Sequence, residues 1–144
     1  VRLSRQEGGY RVTVFTAPTP LRAGPVDVSV FVQDAAKGEP LSGGRVTVRA
    51  VPRGRAVDAI EETATTEAAT NKLFRAAVFD LPGPGWWEIE VRIEGPHGGA
   101  RVGFQVEAAE ALPHWASLWP WVSWPAVAVL LFAVHQWLVR RKAR

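Results

Sequence analysis

The sequence predicts an all-β fold, an immunoglobulin-like antiparallel β-sandwich of about seven strands, followed by one C-terminal transmembrane α-helix. Three observations predict it. Short runs of alternating apolar and polar residues recur between Gly- and Pro-rich breaks. The stretch from Ala111 to Val139 contains no Lys, Arg, Asp or Glu, and within it Pro125-Ala-Val-Ala-Val-Leu-Leu-Phe-Ala-Val134 is unbroken apolar sequence. The chain has no cysteine, so no disulfide clamps the sheets and the core rests on Val, Ile, Phe and Trp packing alone.

Residues 1–9 are polar and read as an N-terminal arm. From Tyr10 the period becomes two: Tyr10, Val12 and Val14 alternate with Arg11, Thr13 and Phe15, as on a half-buried strand. Ala17-Pro-Thr-Pro20 breaks the pattern. Val26, Val28, Val30 and Val32 then give the clearest inward stripe, with Asp27, Ser29 and Phe31 on the other face. A loop rich in Asp, Gly, Pro and Ser follows, then a strand from Arg45 to Val51 with Val46 and Val48 inward. Ala56 to Lys72 mixes helix-favouring Ala and Glu with Thr and reads as one irregular edge strand plus a loop. Leu73 to Phe79 reads as a strand with Phe74, Ala76 and Val78 on one face. Leu81-Pro-Gly-Pro-Gly85 is a strong turn signal. Beyond it Trp87, Ile89, Val91 and Ile93 share one face, and Trp86, Glu88, Glu90 and Arg92 the other. Gly95-Pro-His-Gly-Gly99 forms a hairpin connection, and Val102, Phe104 and Val106 complete the sandwich over 10–108.

Residues 109–118 read as a linker and 119–140 as the transmembrane helix. From Trp119 to Val139 a helix is roughly 31 Å long, against a hydrocarbon core of ~30 Å. Trp115, Trp119, Trp121, Trp124 and Trp137 lie in or beside it, out of seven Trp in the chain. Indole rings favour the headgroup level, and Trp121 and Trp137 are separated by roughly 24 Å of helix. Pro120 suits a helix start, where a missing N–H removes no helical bond. The basic tail 141–144, with Arg140 directly before it, follows the span. Arg140, Arg141, Lys142 and Arg144 serve as a cytoplasmic anchor under the positive-inside rule. The sandwich is then expected in the bacterial periplasm, the chain single-pass in the inner membrane, with a cleaved signal ahead of Val1.

The sequence pI near 9.9 suggests nucleic acid only until the charges are placed. Four of the 17 Lys and Arg lie at 140–144, leaving 13 against 14 Asp and Glu. A near-neutral domain lacks the basic footprint that nucleic acid requires.

No nucleophile–base pair or phosphate loop is legible, so the chain reads as no enzyme. With neither Cys nor Met, the soft ligands of Cu(I) sites are missing. His97 is the weak metal candidate, and its plain reading is a solvated turn residue. His114 is expected in solvent outside the membrane. His135 is the one imidazole in the span. It reads as an interfacial or helix-contacting residue, or as a tetrapyrrole ligand to a haem or chlorophyll of an adjacent subunit. Trp86, outward on its strand, marks a contact surface.

Gly24-Pro-Val-Asp-Val-Ser-Val30, Gly38-Glu-Pro-Leu-Ser-Gly-Gly-Arg-Val-Thr-Val48, Phe74-Arg-Ala-Ala-Val-Phe-Asp-Leu-Pro-Gly-Pro-Gly-Trp86 and Trp87-Glu-Ile-Glu-Val91 together resemble the small periplasmic YtkA-like and FixH-like domains, over residues 21–106. The resemblance implies a periplasmic β-sandwich and, for FixH-like proteins, a role in assembling haem–copper oxidases. Those proteins usually carry their helix before the domain, whereas here it follows. The leading expectation is a non-catalytic accessory or stabilising subunit of a respiratory or photosynthetic membrane complex. It would have no cofactor of its own and would contact integral membrane subunits and the bilayer, with chlorophyll, haem or lipid of a partner nearby. The alternative is a FixH-like assembly or metallation factor.

Overall fold

In the computed structural model the alternating segments become strands whose Cβ atoms point to opposite faces in turn. The structure describes the chain except residues 56, 57, 143 and 144; the side chains at 114–117, 120, 122, 139, 141 and 142 are also outside the description. The strands are β1 (Leu3–Glu7), β2 (Tyr10–Ala17), β3 (Gly24–Asp34), β4 (Arg45–Pro52), β5 (Ile60–Ala64), β6 (Arg75–Leu81), β7 (Gly85–Gly95) and β8 (Gly98–Ala108), followed by α1 (His114–Lys142).

The strands form two four-stranded sheets, β1-β2-β3-β6 and β5-β4-β7-β8, antiparallel throughout. Inward residues of both sheets make one core. Val12, Val14, Val28, Val30, Ala77 and Leu81 come from the first, and Val46, Val48, Trp87, Ile89, Val91 and Val102 from the second. The stripes predicted for β2, β3, β4 and β7 are the buried ones.

Three details differ from the sequence reading. Residues 1–9 contain β1, which pairs with β2 from Leu3↔Val14 to Glu7↔Tyr10. Its segment carries a single apolar residue, so backbone bonds define it rather than a buried stripe. The strand expected over 73–79 starts later, at Arg75, and its core face is Ala77, Phe79 and Leu81, while Val78 is exposed. Ala76 is buried as well, and its backbone exchanges two bonds of 2.9 Å with Thr65 at the border of β6. Phe74 packs outside the core, edge-on to Phe15 and tilted against Phe31, with centroids 5.5 and 5.3 Å away.

Arg75 is a cation at a buried position, 7% exposed. Its guanidinium donates to the carbonyls of Ser42 and Gly43, so the charge is hydrogen-bonded as a buried cation must be. It also fastens the β3–β4 loop across the domain.

The chain divides into two units, Val1–Ala111 and Leu112–Arg144. The second is α1, which starts directly after Pro113 and thus upstream of Pro120. Pro120 and Pro125 lie inside it, and each takes one donor out of the i→i−4 ladder. Among the described residues no helix is long and apolar enough to cross a membrane. The side chains of α1 are described without a break over 123–138. There the large apolar residues Val127, Val129, Leu130, Leu131, Phe132, Val134 and Leu138 are all exposed, between 45% and 69%.

Candidate functional site

One end of the sandwich is built from the β1–β2 turn, the end of β3 and the β7–β8 hairpin. Tyr10, 1% exposed, opens β2 and reaches across to that hairpin. Its hydroxyl donates to the Gly98 carbonyl at 2.9 Å and accepts the His97 backbone N–H at 3.0 Å. The His97 imidazole stands edge-on to the Tyr10 ring, centroids 5.4 Å apart. Its Nε2 meets Asp34 Oδ2 at 2.9 Å. With Asp34 ionised the imidazole must be the donor here, and a neutral or a protonated ring can fill that role. Two glycines permit the approach. A Cβ at Gly9 would lie 2.8 Å from the His97 Cβ, and one at Gly95 would lie 2.9 Å from the Tyr10 hydroxyl.

Asp34 is itself held by its loop. Its Oδ1 accepts the backbone N–H groups of Ala36 and Lys37 at 2.8 and 2.9 Å. Those two bonds, Lys37 first, hold its carboxyl below the ordinary 3.8, with a smaller contribution from His97 and against the opposing effect of burial. A depressed carboxyl stabilises the fold above its ordinary pKa, and that contribution disappears as pH falls through the lower folded value. Thermal melts between ~pH 2 and ~pH 7 should therefore show an acid-side loss of stability that Asp34→Asn flattens, with the variant less stable at neutral pH. Tyr10→Phe leaves the His97 N–H and the Gly98 carbonyl without their partner. It should cost about 1–3 kcal/mol in urea unfolding.

His97 lies exposed in the β7–β8 turn, in line with the solvated turn residue read from the sequence, and it is also bonded to a carboxylate 63 positions away in the chain. Nδ1 is the ring nitrogen left for another partner. Among the described residues no group of three or more His, Cys, Asp or Glu is placed to hold a metal ion.

The opposite end collects the β4–β5 and β6–β7 turns and the end of β8. Trp87 points into the core, and its Nε1 donates to the Gly83 carbonyl at 3.2 Å. Trp86 faces out, 47% exposed, as its strand position predicts. Its carbonyl accepts the Arg53 N–H at 2.9 Å. A groove of about 410 Å³ runs beside it, lined by Val51, Pro52, Arg53, Arg55, Glu88 and Gln105 among others. Arg55 pairs with Asp58 at 3.3 Å in an exposed contact, which contributes little. At this end the chain leaves the sandwich. Ala109 accepts from Ala23 and donates to Leu21, each at 2.9 Å, and Arg22 donates to the Glu110 carbonyl at 3.1 Å.

On α1, Trp119, Trp121, Trp124 and Trp137 are exposed, between 52% and 78%, and so is His135. The side chains of His114, Trp115, Arg141 and Lys142, and all of Arg144, lie outside the described residues. The sequence missed Asp34 and Tyr10 as partners of His97. Glycines at 8, 9, 95, 98 and 99 were the available signal that two turns approach closely there.

No protein-family model matches the chain, and no curated protein matches it.

Proposed function

We propose that the protein is a non-catalytic accessory subunit of a larger membrane complex of the respiratory or photosynthetic kind. In this reading α1 lies in the bilayer and the sandwich lies on the periplasmic side. One observation carries it: over 123–138 the large apolar side chains of α1 are exposed whatever their position around the helix. A helix of a water-exposed domain keeps a polar face, and one that is apolar all round requires lipid or other helices around it. The uncharged sequence continues beyond that stretch on both sides, from Ala111 to Val139, so the segment available to a bilayer is longer than the described run. The cations Arg140, Arg141, Lys142 and Arg144 that follow the span in the sequence support this orientation. Trp119, Trp121, Trp124 and His135 are the positions at which the helix meets neighbouring helices, lipid, or the haem or chlorophyll of a partner.

Purification from native membranes in mild detergent, followed by mass spectrometry of the intact assembly, tests the subunit role. A stoichiometric integral membrane partner is the expected result. A chain that emerges alone overturns it. Replacing 126–134 by poly-Leu should weaken assembly with that partner while leaving the chain in the membrane. Full assembly would reduce the helix to a plain tether.

A further inference from the structure

The sandwich end that carries Trp86 has the chemistry of a lipid-headgroup contact. Trp86 is a bulky aromatic standing half out of its sheet, and its backbone is fixed by the Arg53 N–H. Arg53 and Arg55 flank the same groove. Among the described residues no side-chain partner is recorded for Arg53, while Arg55 has only the exposed Asp58 to exchange for another anion. Among the described residues Glu88 is the one carboxylate lining the groove, and Glu107 stands opposite Trp86 on the neighbouring strand. An exposed indole with two arginines lining the same groove matches a phospholipid surface. The ring sits at headgroup level with its N–H wet, and guanidinium groups bind phosphate oxygens through paired N–H donors.

The second observation is position. Trp86 pairs with Glu107, one residue before the end of β8, and the chain is pinned there by Leu21, Arg22 and Ala23 before it continues. Only residues 109–113 separate β8 from α1 in the sequence. The contact surface and the exit towards the helix belong to one end of the domain, whereas His97 and Asp34 belong to the other.

We infer that Trp86, Arg53 and Arg55 form a docking surface for the phosphates of phospholipid headgroups, seating the sandwich on the outer leaflet. This rests on the proposal that α1 lies in the bilayer. The absence of native cysteine makes the test direct. Spin labels are attached to Trp86→Cys, Glu39→Cys and Leu130→Cys in the full chain, each in nanodiscs of phosphatidylethanolamine and phosphatidylglycerol. Relaxation by oxygen, which concentrates in lipid, is compared with relaxation by a water-soluble nickel chelate. The oxygen-to-nickel ratio at 86 should exceed that at 39 by several-fold and lie below that at 130. Arg53→Glu combined with Arg55→Glu should bring the ratio at 86 down to that at 39, and so should nanodiscs of phosphate-free galactolipid. If 86 matches 39 in the phospholipid discs while 130 reports lipid, the docking surface is refuted and the membrane helix stands. If 130 also matches 39, the membrane reading fails and this inference fails with it. A high ratio at 86 that survives both the charge reversal and the galactolipid overturns the phosphate assignment.

Discussion

Leu130→Arg combined with Leu131→Arg should remove the chain from the carbonate-washed membrane fraction. At the centre of a spanning helix, Arg costs about 2.5–3.5 kcal/mol and Leu contributes about −0.3 to −0.6 kcal/mol. The pair is therefore a change of about 6–8 kcal/mol, enough to reverse insertion. Leu130 and Leu131 are 64% and 63% exposed, so neither substitution cuts into packing within the chain. Any large effect must come from what surrounds the helix. In water two added charges on an exposed face are close to neutral for stability. A double variant that stays in the washed membranes like the wild type would sink the transmembrane reading.

Trp87→Ala should destabilise the sandwich by about 3–5 kcal/mol, the range for truncating a large buried aromatic. For a domain of this size that lowers Tm by at least ~12 °C. Trp87 is 3% exposed, sits in the common core and donates to Gly83 in the β6–β7 turn. Truncation opens a cavity and releases the turn at once. Trp86→Ala on the adjacent position should change Tm little, because that ring lies outside the core. Differential scanning calorimetry of the two variants makes the comparison. Equal losses would mean that the inward and outward assignments on β7 carry no energetic difference.

These two tryptophans show what a sequence of this kind discloses. Strict alternation assigns a face to each side chain wherever one side of a strand is buried, and β2, β3, β4 and β7 were legible for that reason. β1 was not, because Leu3-Ser-Arg-Gln-Glu7 forms through backbone bonds on a polar surface and leaves no periodic apolar trace. β6 was misplaced at its start because Phe74 is as apolar as a core residue, yet it closes an aromatic cluster on the outer face. The Asp34–His97 pair and the Arg75 clasp on Ser42 and Gly43 join distant segments, and such contacts exist only once the topology does. The apolar run in α1 was plain from composition. Where that helix starts was not, because Pro113 and Pro120 are both acceptable openings.

The bridge between Thr65 and Ala76 ties the border strands β5 and β6 to each other, and β1 approaches β8 on the other side. An open border would offer a row of unpaired amides to any passing strand. Here Thr65 and Ala76 fill part of the β5–β6 border with two backbone hydrogen bonds, whereas β1 pairs with β2 and β8 with β7, and among the described residues no backbone bond joins β1 to β8. A companion strand that lengthened a ladder would meet the β5–β6 side already taken at Thr65 and Ala76, so the β1–β8 side is the border better suited to such an addition.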